Sequence, residues 1–156
     1  MLYRLASSSS PQTNVVVSAA DDQYKNKCGS PPRKSKCRIA IGNAAQKEGN
    51  SGSTLMTFTV TLDSKSDETV TVDFTTAPIG SAVQGGACGP GIDYVVSSGT
   101  LVFVPGDTSE PINVTICGDT LKEPNETFNV NLSNPSPNAF IGNATGVGTI
   151  TNDDKP

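Results

Sequence analysis

The sequence predicts an all-β protein: a seven-strand Greek-key, immunoglobulin-like β-sandwich preceded by an N-terminal extension. Three observations carry that reading. The 156 residues include 15 Gly and 11 Pro, with Thr, Val, Asn and Ser prominent, a composition suited to short strands joined by turns. Runs of Ala, Leu, Glu and Lys that would build helices are missing. Apolar and polar residues alternate over several short stretches, with turn-forming residues between them.

The first strand is expected at 37–41. The clearest is 54–62, where Met56, Phe58, Val60 and Leu62 alternate with Leu55, Thr57, Thr59 and Thr61. A polar turn at 63–67 leads to 69–75, with Val70, Val72 and Phe74 on one face and Thr71 and Asp73 on the other. A Gly-rich loop at 77–98 precedes 100–104, a continuous apolar run of the kind found in core strands. Pro105, Gly106 and Asp107 then turn the chain. Ile112, Val114 and Ile116 define a fifth strand, Phe128, Val130 and Leu132 a sixth, and 147–152 the last. Each presents one apolar face that only a second sheet can cover. The Trp and Cys spacing of a true immunoglobulin domain is missing. Two regions follow: an extension at 1–36 and a sandwich at 37–156.

Charge divides the same way. Residues 1–38 hold seven basic residues against two acids, whereas 39–156 hold four against thirteen, for nets of +5 and −9. An acidic body repels nucleic acid and anionic membrane, and bound divalent cations would relieve its self-repulsion. A simply solvated acidic surface is the alternative. The chain has no His, so no Ser/His/Asp or Cys/His nucleophile can be assembled, and an enzyme is not expected.

Cys28, Cys37, Cys88 and Cys117 form no CxxC pair and have no His companions, which argues for disulfides over zinc. Three connectivities are open. Any bridge would imply an oxidising compartment, hence an extracellular or cell-surface location. No stretch approaches the roughly 18 apolar residues of a membrane span, so membrane insertion is not expected. Residues 1–10 lack the apolar centre of a signal peptide, which suggests a fragment or processed chain.

Consecutive strands of such sandwiches generally run in opposite directions, so alternate loops share an end. The loop before the second strand, the 77–98 loop, the 118–126 loop and the end of the last strand should lie together. Those places hold Glu48, Asp93, Asp119, Glu123, Glu126, Asp153 and Asp154, seven of the thirteen body acids. An oxygen-rich cluster suits Ca²⁺, which takes about six to eight oxygen ligands in irregular geometry. Without a cation, carboxylates so close would raise one another's pKa values and weaken the fold. Each acid capping its own turn is the plainer alternative.

At these residues the chain resembles the Calx-β family. The resemblance rests on Glu48-Gly49-Asn50-Ser51-Gly52, Gly91-Ile92-Asp93-Tyr94, the run from Gly99 to Gly106, Gly118-Asp119, Glu126-Thr127-Phe128 with Asn131-Leu132-Ser133-Asn134-Pro135, and the run from Gly148 to Asp154, in that order. It covers about 39–154. It implies a seven-strand sandwich found in sodium/calcium exchangers and in large bacterial surface proteins, often in tandem, with calcium at the distal loops. Carried over by position, the implied ligands are Glu48, Asp119, Glu123, Glu126, Asp153 and Asp154. Where calcium-sensing members have further acids this chain has Ile79, Gly118 and Asn152, so one or two weakly held ions are expected. Strand parity also favours a Cys88–Cys117 pair, at the same end, and the turn Gly29-Ser30-Pro31-Pro32 could join Cys28 to Cys37.

The extension contains Asn14-Val15-Val16-Val17-Ser18-Ala19-Ala20-Asp21-Asp22, weakly similar to the chain's own ending. At 14–22, with Val15, Val16 and Val17 as its apolar centre, it reads as the last strand of a preceding module or as a strand donated to a neighbouring copy. A disordered tail is the alternative. Residues 23–37 read as a basic, Cys-containing loop. Three functions remain: a calcium-rigidified extracellular structural or adhesion module, a subunit of a strand-exchanged filament, and a calcium sensor. The expected partners are neighbouring copies or tandem modules of the same family.

Overall fold

A computed structural model describes residues 27, 28 and 35–154. The segment 14–22, with Val15, Val16 and Val17, lies outside the described residues. Within them the chain is all-β: β1 Lys27–Cys28, β2 Cys37–Ile41, β3 Ala44–Lys47, β4 Ser53–Leu62, β5 Lys65–Ser66, β6 Val70–Ala77, β7 Gln84–Gly85, β8 Tyr94–Val95, β9 Ser98–Phe103, β10 Ser109–Cys117, β11 Glu126–Ser133, β12 Ala139–Asn143 and β13 Thr145–Thr151. The seven expected strands correspond to β2, β4, β6, β9, β10, β11 and β13. Six further strands of two to five residues were not foreseen, so the described residues hold more strands than seven.

Two large sheets form the sandwich, one ordered β12-β2-β4-β10-β8-β7 and the other β3-β13-β11-β6-β9. The entering strand changes sheets. β2 pairs antiparallel with β4, the chain bends at Gly42 and Asn43, and β3 then pairs parallel with β13. Lys27 and Cys28 pair parallel with Lys65 and Ser66, and Cys28 is disulfide-bonded to Cys37. Both cysteines are buried in the core, which ties this part of the extension to the body.

Alternation decides what is inside. Met56, Phe58, Val60 and Leu62 of β4 face Phe128, Val130 and Leu132 of β11 across a core closed by Ile112, Val114 and Ile116. Phe128 is its centre: its ring lies edge-on to Phe58 at 5.9 Å and stacks on Tyr94 at 4.1 Å. Gly148 leaves room for these rings, since a Cβ there would come within 2.7 Å of Phe128 and 2.9 Å of Phe58. Strand β9 corrects the expectation of a core strand. It is an edge strand whose outer face meets solvent, with Leu101 and Phe103 buried but Val102 and Val104 about half exposed.

Strand registers gather the functional loops. Cys117 lies opposite Ser53, Ile116 opposite Tyr94, Glu126 opposite Ile150 and Thr151 opposite Lys47. The ends of β3, β10 and β13 and the starts of β4, β8 and β11 therefore coincide at one end of the sandwich.

Candidate metal centre

Glu48 follows β3 directly, and its N–H donates to the Thr151 carbonyl at 3.3 Å, which seats it beside the last strand. Its side chain is buried and accepts a hydrogen bond from Asn152 Nδ2 at 2.8 Å. Burial raises its carboxyl above the ordinary range; the Asn152 bond opposes that rise, and the charges of Asp119, Asp154 and Glu123 add to it. Gly49, at φ 82°, turns the chain so that its N–H donates to Asp153 Oδ1 at 3.1 Å. Asn50 donates its side-chain amide to Asp154 Oδ1.

Asp93 precedes β8 and is buried between two hydrogen-bonded segments. Its Oδ2 accepts the Val83 N–H at 2.6 Å, and its carbonyl accepts the Cys117 N–H at 2.9 Å. Glu123 and Glu126 face it from the loop before β11 and from that strand's first residue. Carboxylate oxygens of Asp93, Glu123 and Glu126 all lie within 4.8 Å of one another. The consequence is electrostatic. Burial, then a hydrogen bond to Asp93 and the charges of Asp93, Glu123 and Glu48, push Glu126 up to about 8. Burial and the charges of Asp93 and Asp119 also raise Glu123.

Asp119 sits two residues past β10 and accepts the Leu121 N–H at 2.7 Å, an Asx turn that closes the 118–121 bend. Thus Glu48, Asp119, Glu123, Glu126, Asp153 and Asp154 occupy one end of the sandwich together with Asp93. The sequence grouped Asp93 with these acids but left it out of the ligand set. What seats it is hydrogen bonding to Val83 and Cys117, which no local sequence pattern announces.

The other positions contribute no acid. Ile79 is exposed, Gly118 has no side chain, and Asn152 donates to Glu48 and, at 2.9 Å, to the Leu121 carbonyl. Asp154 Oδ2 is buried with no hydrogen-bond partner among the described residues. Burying a carboxylate oxygen unpaired is costly unless a cation or proton meets it. Asp93, Glu123 and Glu126, whose oxygens meet, together with the unpaired Asp154 Oδ2 at the same end and with no thiolate or imidazole among them, have the chemistry that suits a hard, oxygen-seeking divalent cation. The residues present fit calcium.

The disulfide Cys88–Cys117 adjoins this end. Beside it opens a groove of about 510 Å³ lined in part by Ile92, Asp119 and Leu121.

Known proteins share sequence and fold with this chain. Residues 43–155 match the model of the Calx-beta domain. A 66-residue stretch is 42% identical to sodium/calcium exchanger 1 of Canis lupus familiaris, and covers 42% of this chain but 6% of the exchanger. The exchanger of Rattus norvegicus is 41% identical over the same length. Among solved structures, the apo-form Calx CBD1 domain superposes with a TM-score of 0.57 at 24% identity, covering 76% of this chain and 99% of that one. The calcium binding domain CBD12 of CALX1.1 superposes with a TM-score of 0.59 at 24% identity, covering 75% of this chain and 46% of that one. At these identities the structural likeness shows the fold.

Proposed function

The chain belongs to the Calx-beta domain family, and on that footing we propose that it is a calcium-binding structural or adhesion module in which the ion rigidifies one end of the sandwich. The observation that carries this is the meeting of Asp93, Glu123 and Glu126 oxygens within 4.8 Å, at the same end of the sandwich as the unpartnered Asp154 Oδ2. Glu48, Asp119, Asp153 and Asp154 would complete the oxygen shell with these three. A bound calcium ion supplies positive charge that makes their proximity favourable. The chain's own residues do the rest: Asn152 and Gly49 orient Glu48 and Asp153.

Rigidification is favoured over sensing because Ile79, Gly118 and Asn152 remove three charges, and calcium affinity tracks ligand charge. Two disulfides support an oxidising, extracellular or cell-surface setting. The chain has no His, the commonest general base, and the family footing favours a binding role over a catalytic one.

Filament assembly is a second reading, favoured by one observation. Strand β9 is a sheet edge with exposed Val102, a suitable acceptor for Val15, Val16 and Val17 of a neighbouring copy. Loss of assembly on deleting residues 1–22 would support it, and assembly that survives the deletion would sink it.

Thermal melting in millimolar calcium and in chelator tests the main reading. A ligand at about 100 times its Kd stabilises by roughly 2.7 kcal/mol. For a domain of this size that is a rise of roughly 5–10 °C. Equal melting temperatures would end the calcium claim.

A further inference from the structure

We infer that the Cys88–Cys117 disulfide sets the calcium affinity of this end of the sandwich, so that its reduction and reoxidation switch ion binding. The inference rests on the calcium reading above and adds its regulation. Cys117 ends β10 and is buried, and its N–H donates to the Asp93 carbonyl at 2.9 Å. Two residues later the chain reaches Asp119. Between them, Gly118 lies against the backbone that carries Glu48: a Cβ there would meet the Gly49 carbonyl oxygen at 2.4 Å and that of Glu48 at 2.8 Å. Three ligand-bearing segments therefore meet at Cys117.

Cys88 belongs to a different environment. Residues 86–91 are all exposed, and the Ile92 N–H donates to the Gly89 carbonyl at 3.1 Å, a turn closed upon itself. The disulfide is the covalent tie between this stretch, five residues ahead of Asp93, and β10. Cutting it releases the exposed 86–91 stretch and leaves Asp93 held by its hydrogen bonds to Val83 and Cys117, with the core strands in place. Ordering that stretch again must then be drawn from the binding free energy of the ion.

The bond is also accessible. The groove of about 510 Å³ is lined by both cysteines, and Cys88 is exposed whereas Cys117 is buried. The reductant is a small dithiol. Its thiolate attacks Cys88 Sγ, the S–S bond breaks, and the electron pair leaves on Cys117 Sγ, which takes a proton from solvent. The second thiol resolves the mixed disulfide, releasing Cys88 as a thiol and the reductant as a cyclic disulfide. Two electrons and two protons are transferred in all.

Calcium titration by calorimetry tests the switch in a Cys28→Ser/Cys37→Ser variant, where Cys88–Cys117 is the one remaining bridge. Dithiothreitol should weaken calcium binding by roughly tenfold, since fixing even one residue's backbone is worth about that factor. Reoxidation should restore it. Equal affinities in both redox states overturn this proposal and leave the calcium reading standing. No binding in the oxidised protein overturns both.

The reciprocal measurement uses the unaltered chain, in case the variant fails to fold. By linkage, calcium must protect Cys88–Cys117 from reduction by the same factor. At fixed dithiothreitol, alkylation and peptide mass analysis should show the Cys88–Cys117 reduction equilibrium shifted about tenfold by saturating calcium. Cys28–Cys37 should be unmoved. An equal shift at both bridges, or at neither, overturns the switch.

Discussion

Asn152 donates its side-chain amide to Glu48 Oε1 across 2.8 Å and to the Leu121 carbonyl across 2.9 Å, so one neutral side chain joins the ends of three segments. Glu48 is buried, and burial raises its pKa, opposed by this hydrogen bond and reinforced by the charges of Asp119, Asp154 and Glu123. An amide here stabilises the ion-free sandwich and at the same time withholds a ligand. An Asn at this position thus adds ion-independent stability and brings no charge to a cation.

Asn152→Asp should reverse both effects. The ion-free protein should lose about 1–2 kcal/mol, from a missing hydrogen bond and a new like-charge contact. Calcium affinity should rise by roughly tenfold with the added charge. Urea melts in chelator check the first effect and calorimetric titration the second. A variant with unchanged affinity would place residue 152 outside the ion's reach.

Glu126 makes both affinity and stability depend on pH. Its folded-state value of about 8 exceeds its ordinary 4.5, so at pH 7 the ion-free site holds a proton that calcium must displace. Calcium affinity should therefore climb with pH up to about 8 and level off above it. Stability of the ion-free protein moves oppositely. With the folded pKa raised, the contribution is fully present below about 4.5 and is lost as pH rises through about 8. Chelator melts at pH 5 and pH 8.5 read the second effect, and calorimetry in buffers of different ionisation enthalpy reads proton release. Glu126→Gln should flatten both profiles.

Phe128→Ala should cost about 3–5 kcal/mol, because it empties the space between Phe58 and Tyr94 at the centre of the core. The calcium-induced rise in melting temperature should shrink as well, since Tyr94 adjoins Asp93. Val102→Ala, on the exposed face of β9, should change stability by less than about 0.5 kcal/mol. Denaturant melts of the pair check whether β9 is an edge strand. A large loss at Val102 would return it to the core.

Period-2 patterning was enough to assign the inward faces of β4 and β10, since only one alternation buries Met56, Phe58, Val60 and Leu62 together. It failed at β9, where an apolar run reads the same whether or not the outer face is covered. It also missed β3 and β12, which carry little alternation. The path of β3 is fixed from elsewhere, by parallel pairing with β13 and by Asn43 Oδ1 accepting the Val147 N–H at 2.9 Å. Strand parity identifies which loops share an end but says nothing of distances. The approach of Asp93 to Glu126 and the Asn152–Glu48 bond arise from side-chain packing between residues far apart in sequence.

Gly118 provides the sharpest contrast with Asn152, because both stand where calcium-sensing relatives are expected to carry an acid. Charge alone predicts that an Asp at either position strengthens calcium binding. Packing separates them. Asn152 already has a side chain in the site, and Asp occupies nearly the same volume. A Cβ at 118 would lie 2.4 Å from the Gly49 carbonyl oxygen and 2.8 Å from that of Glu48, and these are backbone atoms that cannot rotate away. The Gly118 N–H also donates to the Gly52 carbonyl at 3.1 Å, which fixes the strand end in this close approach. Gly118→Asp should therefore push Glu48 and Gly49 aside, break the bond from Gly49 N–H to Asp153, and weaken calcium binding despite the added charge. Gly118→Ala should do nearly the same without any change in charge. Matched calcium titrations of the two variants decide the matter: losses of similar size in both mean that space governs position 118, and a gain in the Asp variant would mean that the Glu48 segment yields more readily than its packing implies.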